Sequence, residues 1–283
     1  MATVVKLPVW NTVGRSFIAP FRFFWPLAPF YLVVQLGIVG VLGAYSTVSG
    51  VPGSEDAGLA VETANIPLAV IAGIIVFVAS VMLIVLTHRL IAGAAEPWRL
   101  AGPFFGYLLL SIGIFCIAFM LALLGGALMV VADAASKGGV PQIAGIIPVL
   151  GAIVAVLGSV YFFIRYMLAL PAAAVGRPSP IAIGQEASQG NWWRLLTGFL
   201  LITFMGMIFT MTLILIGTAL GVLTWPPIDT GVQGLANGID FSDPNAIAAL
   251  AVNVGSNYFV SVASTAYLTF SLIALWRNVE PVE

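Results

Sequence analysis

The sequence predicts an all-α, polytopic membrane protein, and three observations carry that expectation. Hydrophobic residues make up 61% of the 283-residue chain and charged residues only 7%, against roughly a quarter charged in soluble domains. Six apolar runs each reach the ~20 residues that a helix needs to cross a ~30 Å hydrocarbon core. Basic residues fall almost wholly on alternate connections between those runs. The runs are continuously apolar and do not alternate, which excludes a membrane β-barrel. A mean hydropathy of +1.11 leaves too few solvated groups to cover a water-facing surface, so lipid is the expected solvent and partner.

Residues 1–26 mix Lys6, Arg15 and Arg22 with Trp10, Phe17, Ile18, Phe21, Phe23, Phe24 and Trp25. Aromatic and basic residues so mixed belong at headgroup level. A short interfacial helix is expected over Asn11–Ala19, capped by Asn11 or Thr12 and ended by Pro20. No charged, apolar and small-residue order appears here, so no cleaved signal peptide is expected.

The expected spans are Leu27–Tyr45, Pro67–Thr87, Pro103–Val131, Gly145–Ile164, Leu195–Leu223 and Ala246–Leu275. The third, fifth and sixth exceed the minimum, so tilt or protruding ends are expected. None of the six contains Asp, Glu, Lys, Arg or His. Intramembrane ionisable groups mark proton relays and ion paths, so their absence argues against a proton-coupled transporter and an intramembrane acid–base enzyme. Gly37, Gly40, Gly43 and Ala44 in the first span, and Gly113, Gly125 and Gly126 in the third, permit close helix approach. Cys116 reads as a small packing residue. One cysteine forms no intramolecular disulfide.

Orientation follows from the connections. The N-terminal segment (Lys6, Arg15, Arg22), the second connection (Arg89, Arg99), the fourth (Arg165, Arg177, Arg194) and Arg277 hold nine of the ten basic residues. The opposite side holds Lys137 and seven acids: Glu55, Asp56, Glu62, Asp133, Asp229, Asp240 and Asp243. Positive-inside logic places both termini in the cytoplasm of a bacterial cell (inner) membrane. On the opposite, outer side, Ser46–Ile66 and Thr224–Asn245 read as loops, and Lys137-Gly138-Gly139 turns the short connection Ala132–Ala144. The loop acids match no calcium loop. No metal site or other cofactor is expected. A net charge of −1 gives no field for nucleic acid.

The span edges resemble one another. RFFWPLAPF, EPWRLAGPF and NWWRLLTGF lead into odd spans, while Thr87-His88-Arg89, Ile164-Arg165-Tyr166 and Leu275-Trp276-Arg277 leave even ones. Three hairpins near 1–89, 90–165 and 166–283 would explain this, as would the common need for Trp and Arg at an interface.

Arg165–Leu195 is the most informative stretch. Pro171 breaks the apolar run after Arg165. Ser179 suits an N-cap and Pro180 a first helical position, so a short surface helix is expected over Ile181–Ser188, stopping near Gly190. The matching residues Arg165, Leu168, Ala169, Leu170, Pro171, Ala172, Pro180, Ala182, Ser188, Gly190, Asn191, Trp193, Arg194 and Leu195 give a pattern R-x-x-L-A-L-P-A … G-N-x-W-R-L. It resembles the membrane domain attached to some bacterial glycerophosphodiester phosphodiesterases, and stand-alone bacterial relatives of unassigned function. The likeness covers about 30 residues. Family members carry Trp or Phe after the serine and a basic residue before the glycine; here Gln189 alone separates Ser188 from Gly190. No stretch of this chain reads as the soluble α/β catalytic barrel, so the resemblance implies a membrane fold and no enzyme activity.

Two sets of candidate site residues follow. Arg15, Arg22, Arg89, Arg99, Arg165, Arg177 and Arg194 are positioned for anionic headgroups on the cytoplasmic leaflet. Asn253, Asn257, Ser261 and Ser264, with Thr265 and Ser271, form a polar stripe on the last span, and Thr203, Thr210, Thr212 and Thr218 add to it from the fifth. The stripe reads as interhelical packing or as a polar lining. His88 reads as an interfacial anchor. Glu96 is expected to pair with Arg99, and Glu186 with Arg177 or Arg194. The expected role is non-enzymatic: membrane organisation, lipid handling or scaffolding. The alternative is a transporter or channel for a neutral or lipid-like solute.

Overall fold

The computed structural model describes residues 6–49, 65–137, 142–223 and 243–276. Among the described residues every regular element is helical. The helices are α1 (Val9–Arg22), α2 (Phe24–Ser49), α3 (Asn65–Ala92), α4 (Ala101–Lys137), α5 (Gln142–Tyr166), α6 (Ala169–Ala174), α7 (Pro180–Ser188), α8 (Trp192–Ala219) and α9 (Pro244–Trp276). Among the described residues five helices are long and apolar enough to cross a membrane, or six if α1 and α2, bent by 75° at their junction, count as one span. The chain is therefore an all-α polytopic membrane protein.

Five of the six expected spans lie inside longer helices. α4 continues to Lys137, where Asp133 and Lys137 pair one turn apart at 2.6 Å. α2 runs through Ser49, so the first residues of the expected loop Ser46–Ile66 are helical. Residues 50–64, 138–141 and 224–242 lie outside the described residues, and with them most of the acidic connections. The fifth span is the exception: α8 stops at Ala219, short of Leu223. Gly221 takes a positive φ of 71°, and the Val222 and Leu223 amides fold back onto the Gly217 carbonyl at 3.0 and 3.1 Å. Leu223 then packs where a side chain on Gly217 would stand.

The first helix also departs from expectation. α1 starts at Val9, two residues early, and runs through Pro20 to Arg22. Thr12 does not cap it; its hydroxyl donates to the Pro8 carbonyl one turn back, at 3.0 Å. Proline disrupts a helix by its missing donor and ring clash. Here the break falls three residues later, at Phe23. The buried face of α1 is small and partly polar: Thr12, Val13, Ser16 and Ala19. Trp10, Ile18 and Phe21 are exposed beside Arg15 and Arg22.

Contacts divide the chain into two compact units. One comprises Met1–Thr12, His88–Phe199 and Tyr267–Glu283; the other comprises Val13–Thr87 and Leu200–Ala266. In the second, Phe259 of α9 stacks on Phe209 of α8 at 4.1 Å and meets Phe17 of α1 edge-on at 5.1 Å. Tyr258 meets Tyr31 and Phe24 edge-on at 5.2 and 5.7 Å. Aromatic pairs at these separations contribute about 0.5–1.5 kcal/mol beyond area burial.

In the first unit α4 packs on α5 through small residues. A side chain on Gly125 would stand 3.4 Å from the Ala152 carbonyl oxygen, and Ser159 donates across to the Ala118 carbonyl at 3.1 Å. α6 packs on α4 and α7. Its residues Ala169–Ala174 are all buried. Pro171 lies in the first turn of α6 rather than breaking the chain, because a proline there forfeits only a donor that a helix start leaves unused. Alanine brings the backbones together: a Cβ on Gly184 would lie 2.6 Å from the Ala169 nitrogen.

Gly184→Ala must push α7 off α6, because the obstacle is backbone. We expect a loss of about 1–3 kcal/mol, read as a lower Tm in detergent. Gly198→Ala meets the buried Tyr267 hydroxyl. Its cost should shrink in a Tyr267→Phe background, which a double-mutant thermal-melt cycle measures.

Candidate functional site

The motif stretch Arg165–Leu195 folds into a collar around the buried α6, and its Ser188, Asn191 and Arg194 side chains serve backbone groups. Leu7, wholly buried, lies in the non-helical chain before α1. Its amide donates to Asn191 Oδ1 at 2.9 Å, and its carbonyl accepts from the Arg194 guanidinium at 2.9 Å. Asn191 precedes α8 and Arg194 lies in its first turn, so one helix start grips both polar groups of one residue. Ser188, at the end of α7, donates to the Arg165 carbonyl at 2.9 Å, where α5 is ending. Gly190 sits at φ 73°, the left-handed position that ends a helix. Ser179 occupies the N-cap position of α7 as expected, but at φ 51° and without a side-chain cap. The following proline disfavours the ordinary helical region for it.

Arg89 belongs to the same system. It is buried in the last turn of α3. Its guanidinium donates to the carbonyls of Glu96 (2.7 Å), Pro97 (3.2 Å) and Ala174 (3.4 Å). It thereby ties the α3–α4 turn to the end of α6. Next to it, His88 is also buried, with Nδ1 2.8 Å from the Thr269 hydroxyl and its ring 5.7 Å from Tyr107. His88 is thus a buried hydrogen-bonded residue and not the interfacial anchor expected of it. The long apolar stretch Val70–Ala92 includes His88 and Arg89, so ionisable groups do stand inside a spanning helix. The expected span stopped at Thr87, which put both residues at its edge rather than inside it.

The remaining arginines are placed differently. Arg15, Arg22, Arg99, Arg165 and Arg177 are exposed and Arg194 is half-buried. Arg99 pairs with Glu96 at 3.6 Å on the surface. Arg165 donates to the Tyr161 hydroxyl at 3.1 Å. On α9, Asn257 donates to Asn253 at 2.8 Å, so these two stripe residues serve each other along their own helix. Asn253, Ser261 and Ser264 are half-buried, whereas Asn257 is exposed. Cys116 is exposed on α4 rather than packed. Among the described residues no group of three or more His, Cys, Asp and Glu could hold a metal ion.

Two cavities flank the end of α5. The larger is a groove of about 850 Å³, within the roughly 300–1,000 Å³ of ordinary ligand sites. Its floor is Gly106, Leu110, Gly113 and Ile117 of α4; its walls are Phe162 and Tyr166 of α5 and Ile181 of α7. Gly106 and Gly113 meet nothing within 4 Å of where a Cβ would stand. They leave the floor low; they do not bring helices together, as the sequence suggested for Gly113. Gln185 of α7 closes the end of the groove and donates to the Tyr166 hydroxyl at 2.8 Å. The smaller cavity, about 350 Å³, is polar and lies among Tyr161, Arg165, Gln185, Glu186, Gln189 and Trp192. Gln185 lines both. Sequence reasoning missed the groove; its one local trace was two glycines seven residues apart on one face of α4.

Asn191→Leu should leave the Leu7 amide buried and unpaired, at a cost of about 1–3 kcal/mol. Hydrogen exchange at Leu7 and tryptic cleavage after Lys6 should both accelerate, while exchange in the middle of α4 stays unchanged. Comparison with family models, with curated proteins and with solved structures finds no match to this chain.

Proposed function

We propose that this chain is a non-enzymatic inner-membrane protein that handles lipid, holding one acyl chain in the groove between α4, α5 and α7. The groove carries the proposal. From Gly106 to Ile117 it descends α4 by about 16 Å, at 1.5 Å per residue. That is half of a ~30 Å hydrocarbon core, the depth of one leaflet. Its walls are apolar and its polar residues gather at one end, by α7. Exposed hydrophobic side chains surround it, including Phe105, Leu109 and Ile181, as expected of a surface that hydrocarbon wets.

The basic residues orient the reading. With nine of ten Lys and Arg on one set of connections, the collar faces the cytoplasm and α7 lies at headgroup depth. Exposed Arg15, Arg22, Arg99 and Arg177 then stand where anionic headgroups are concentrated. The likeness of Arg165–Leu195 to the phosphodiesterase-associated membrane domain agrees with a lipid-facing role: the shared residues build the collar that roofs the groove.

Gly113→Leu fills the groove without a backbone clash. Losing the contacts of a buried apolar chain segment, at ~25 cal/mol per Å², should lower lipid retention about tenfold, measured by native mass spectrometry after a fixed detergent wash. Unchanged retention would refute the groove as the site. For orientation, single cysteines at Gly190 and Arg22 in a Cys116→Ser background should both label from the cytoplasmic side only.

A further inference from the structure

We infer that the lipid held in this groove is a zwitterionic phospholipid bearing an ammonium group, its headgroup reaching past Gln185 into the polar cavity. The inference rests on the lipid reading above and adds the headgroup class. Three observations carry it.

The first is continuity. Gln185 lines both the groove and the polar cavity. A molecule with its chain along α4 therefore meets the polar cavity at the groove's upper end. The second is charge. Arg165 and Glu186 line the same polar cavity, and among the described residues they do not form an ion pair with each other. A guanidinium and a carboxylate facing one small space complement a ligand carrying both signs. A phosphate would take guanidinium donors, of which Arg165 commits one to Tyr161 among five. An ammonium would take Glu186, with the Gln185 and Gln189 side chains as neutral acceptors. An anionic headgroup brings the same phosphate but no ammonium, so it leaves the Glu186 carboxylate facing a negative ligand with no positive charge to meet it. The third is the wall. Tyr161 and Trp192 meet edge-on at 5.6 Å and both line the cavity; the Arg165 guanidinium lies over Tyr161 at 5.9 Å, which leaves Trp192 as the aromatic group for a ligand cation. Such an arrangement suits an ammonium beside Glu186 and a phosphate beside Arg165.

The experiment uses the full chain in nanodiscs, with competition among phosphatidylethanolamine, phosphatidylcholine and phosphatidylglycerol read by native mass spectrometry. The wild type should retain phosphatidylethanolamine about tenfold over phosphatidylglycerol, the scale of one charge-assisted hydrogen bond. Glu186→Gln should erase that preference or invert it towards phosphatidylglycerol. Arg165→Gln should weaken retention of all three, since each carries a phosphate. Both positions are exposed, so neither substitution threatens the fold. Phosphatidylcholine held more tightly than phosphatidylethanolamine would assign the ammonium to the aromatic wall and would still support the proposal. Equal or better retention of phosphatidylglycerol by the wild type, or no response to Glu186→Gln, overturns it. The two readings separate cleanly: if Gly113→Leu releases lipid but the head-group variants change nothing, the groove stands and the zwitterion falls. If Gly113→Leu releases nothing, both fall.

Discussion

Backbone groups that cannot turn to water govern this molecule. Inside a helix each carbonyl and amide is satisfied by its own chain, and helices cross hydrocarbon for that reason. Wherever a helix stops, orphan groups appear. This protein stops and restarts its helices repeatedly around α6 and α7, and at each place a polar side chain meets the backbone. Arg89 serves three carbonyls, Asn191 and Arg194 serve Leu7, and Ser188 serves Arg165. Tyr267 donates to the Arg194 and Leu195 carbonyls. Tyr258 does the same for the Pro20 carbonyl at 2.7 Å, close to the bend between α1 and α2.

The same constraint explains an inversion in burial. α9 has the lowest hydropathy of the five spanning stretches and is mostly buried, whereas α4, among the most apolar, is mostly exposed. In water the apolar helix would be the core. In lipid, apolar side chains lose nothing by facing outward, while Ser, Thr and Tyr gain by facing other helices. α9 accordingly buries Thr265 and Thr269, the latter against His88. α4 keeps its large side chains outward and leaves glycine at Gly106 and Gly113, where the groove forms. Packing and the groove thus have one origin, the small and polar residues withheld from the hydrocarbon.

Much of this was legible in the linear sequence, and the failures have physical causes. Apolar runs located the spanning helices because length and hydropathy are sums over neighbouring residues. Pro180 and Gly190 marked the bounds of α7 because proline and glycine restrict or free the backbone locally. Pro20 misled, since a proline late in a helix is tolerated when the next turn is already breaking. Arg89 and Arg194 looked like their exposed counterparts, because nothing adjacent in sequence distinguishes an exposed arginine from one that meets a buried carbonyl.

The sequence by itself determined that the chain is helical, that it crosses a membrane several times, and where most of its helices lie. Those properties follow from each residue's own transfer energy and from spacings of a few positions. Only the tertiary structure decided what the polar residues do. Asn191 and Leu7 are 184 positions apart, Arg194 and Leu7 are 187, and His88 and Thr269 are 181. A hydrogen bond needs its partners within about 3 Å, and no local pattern encodes a meeting across such separations. The groove is of the same kind. It is the space left between α4, α5 and α7, and space between elements exists only once they pack.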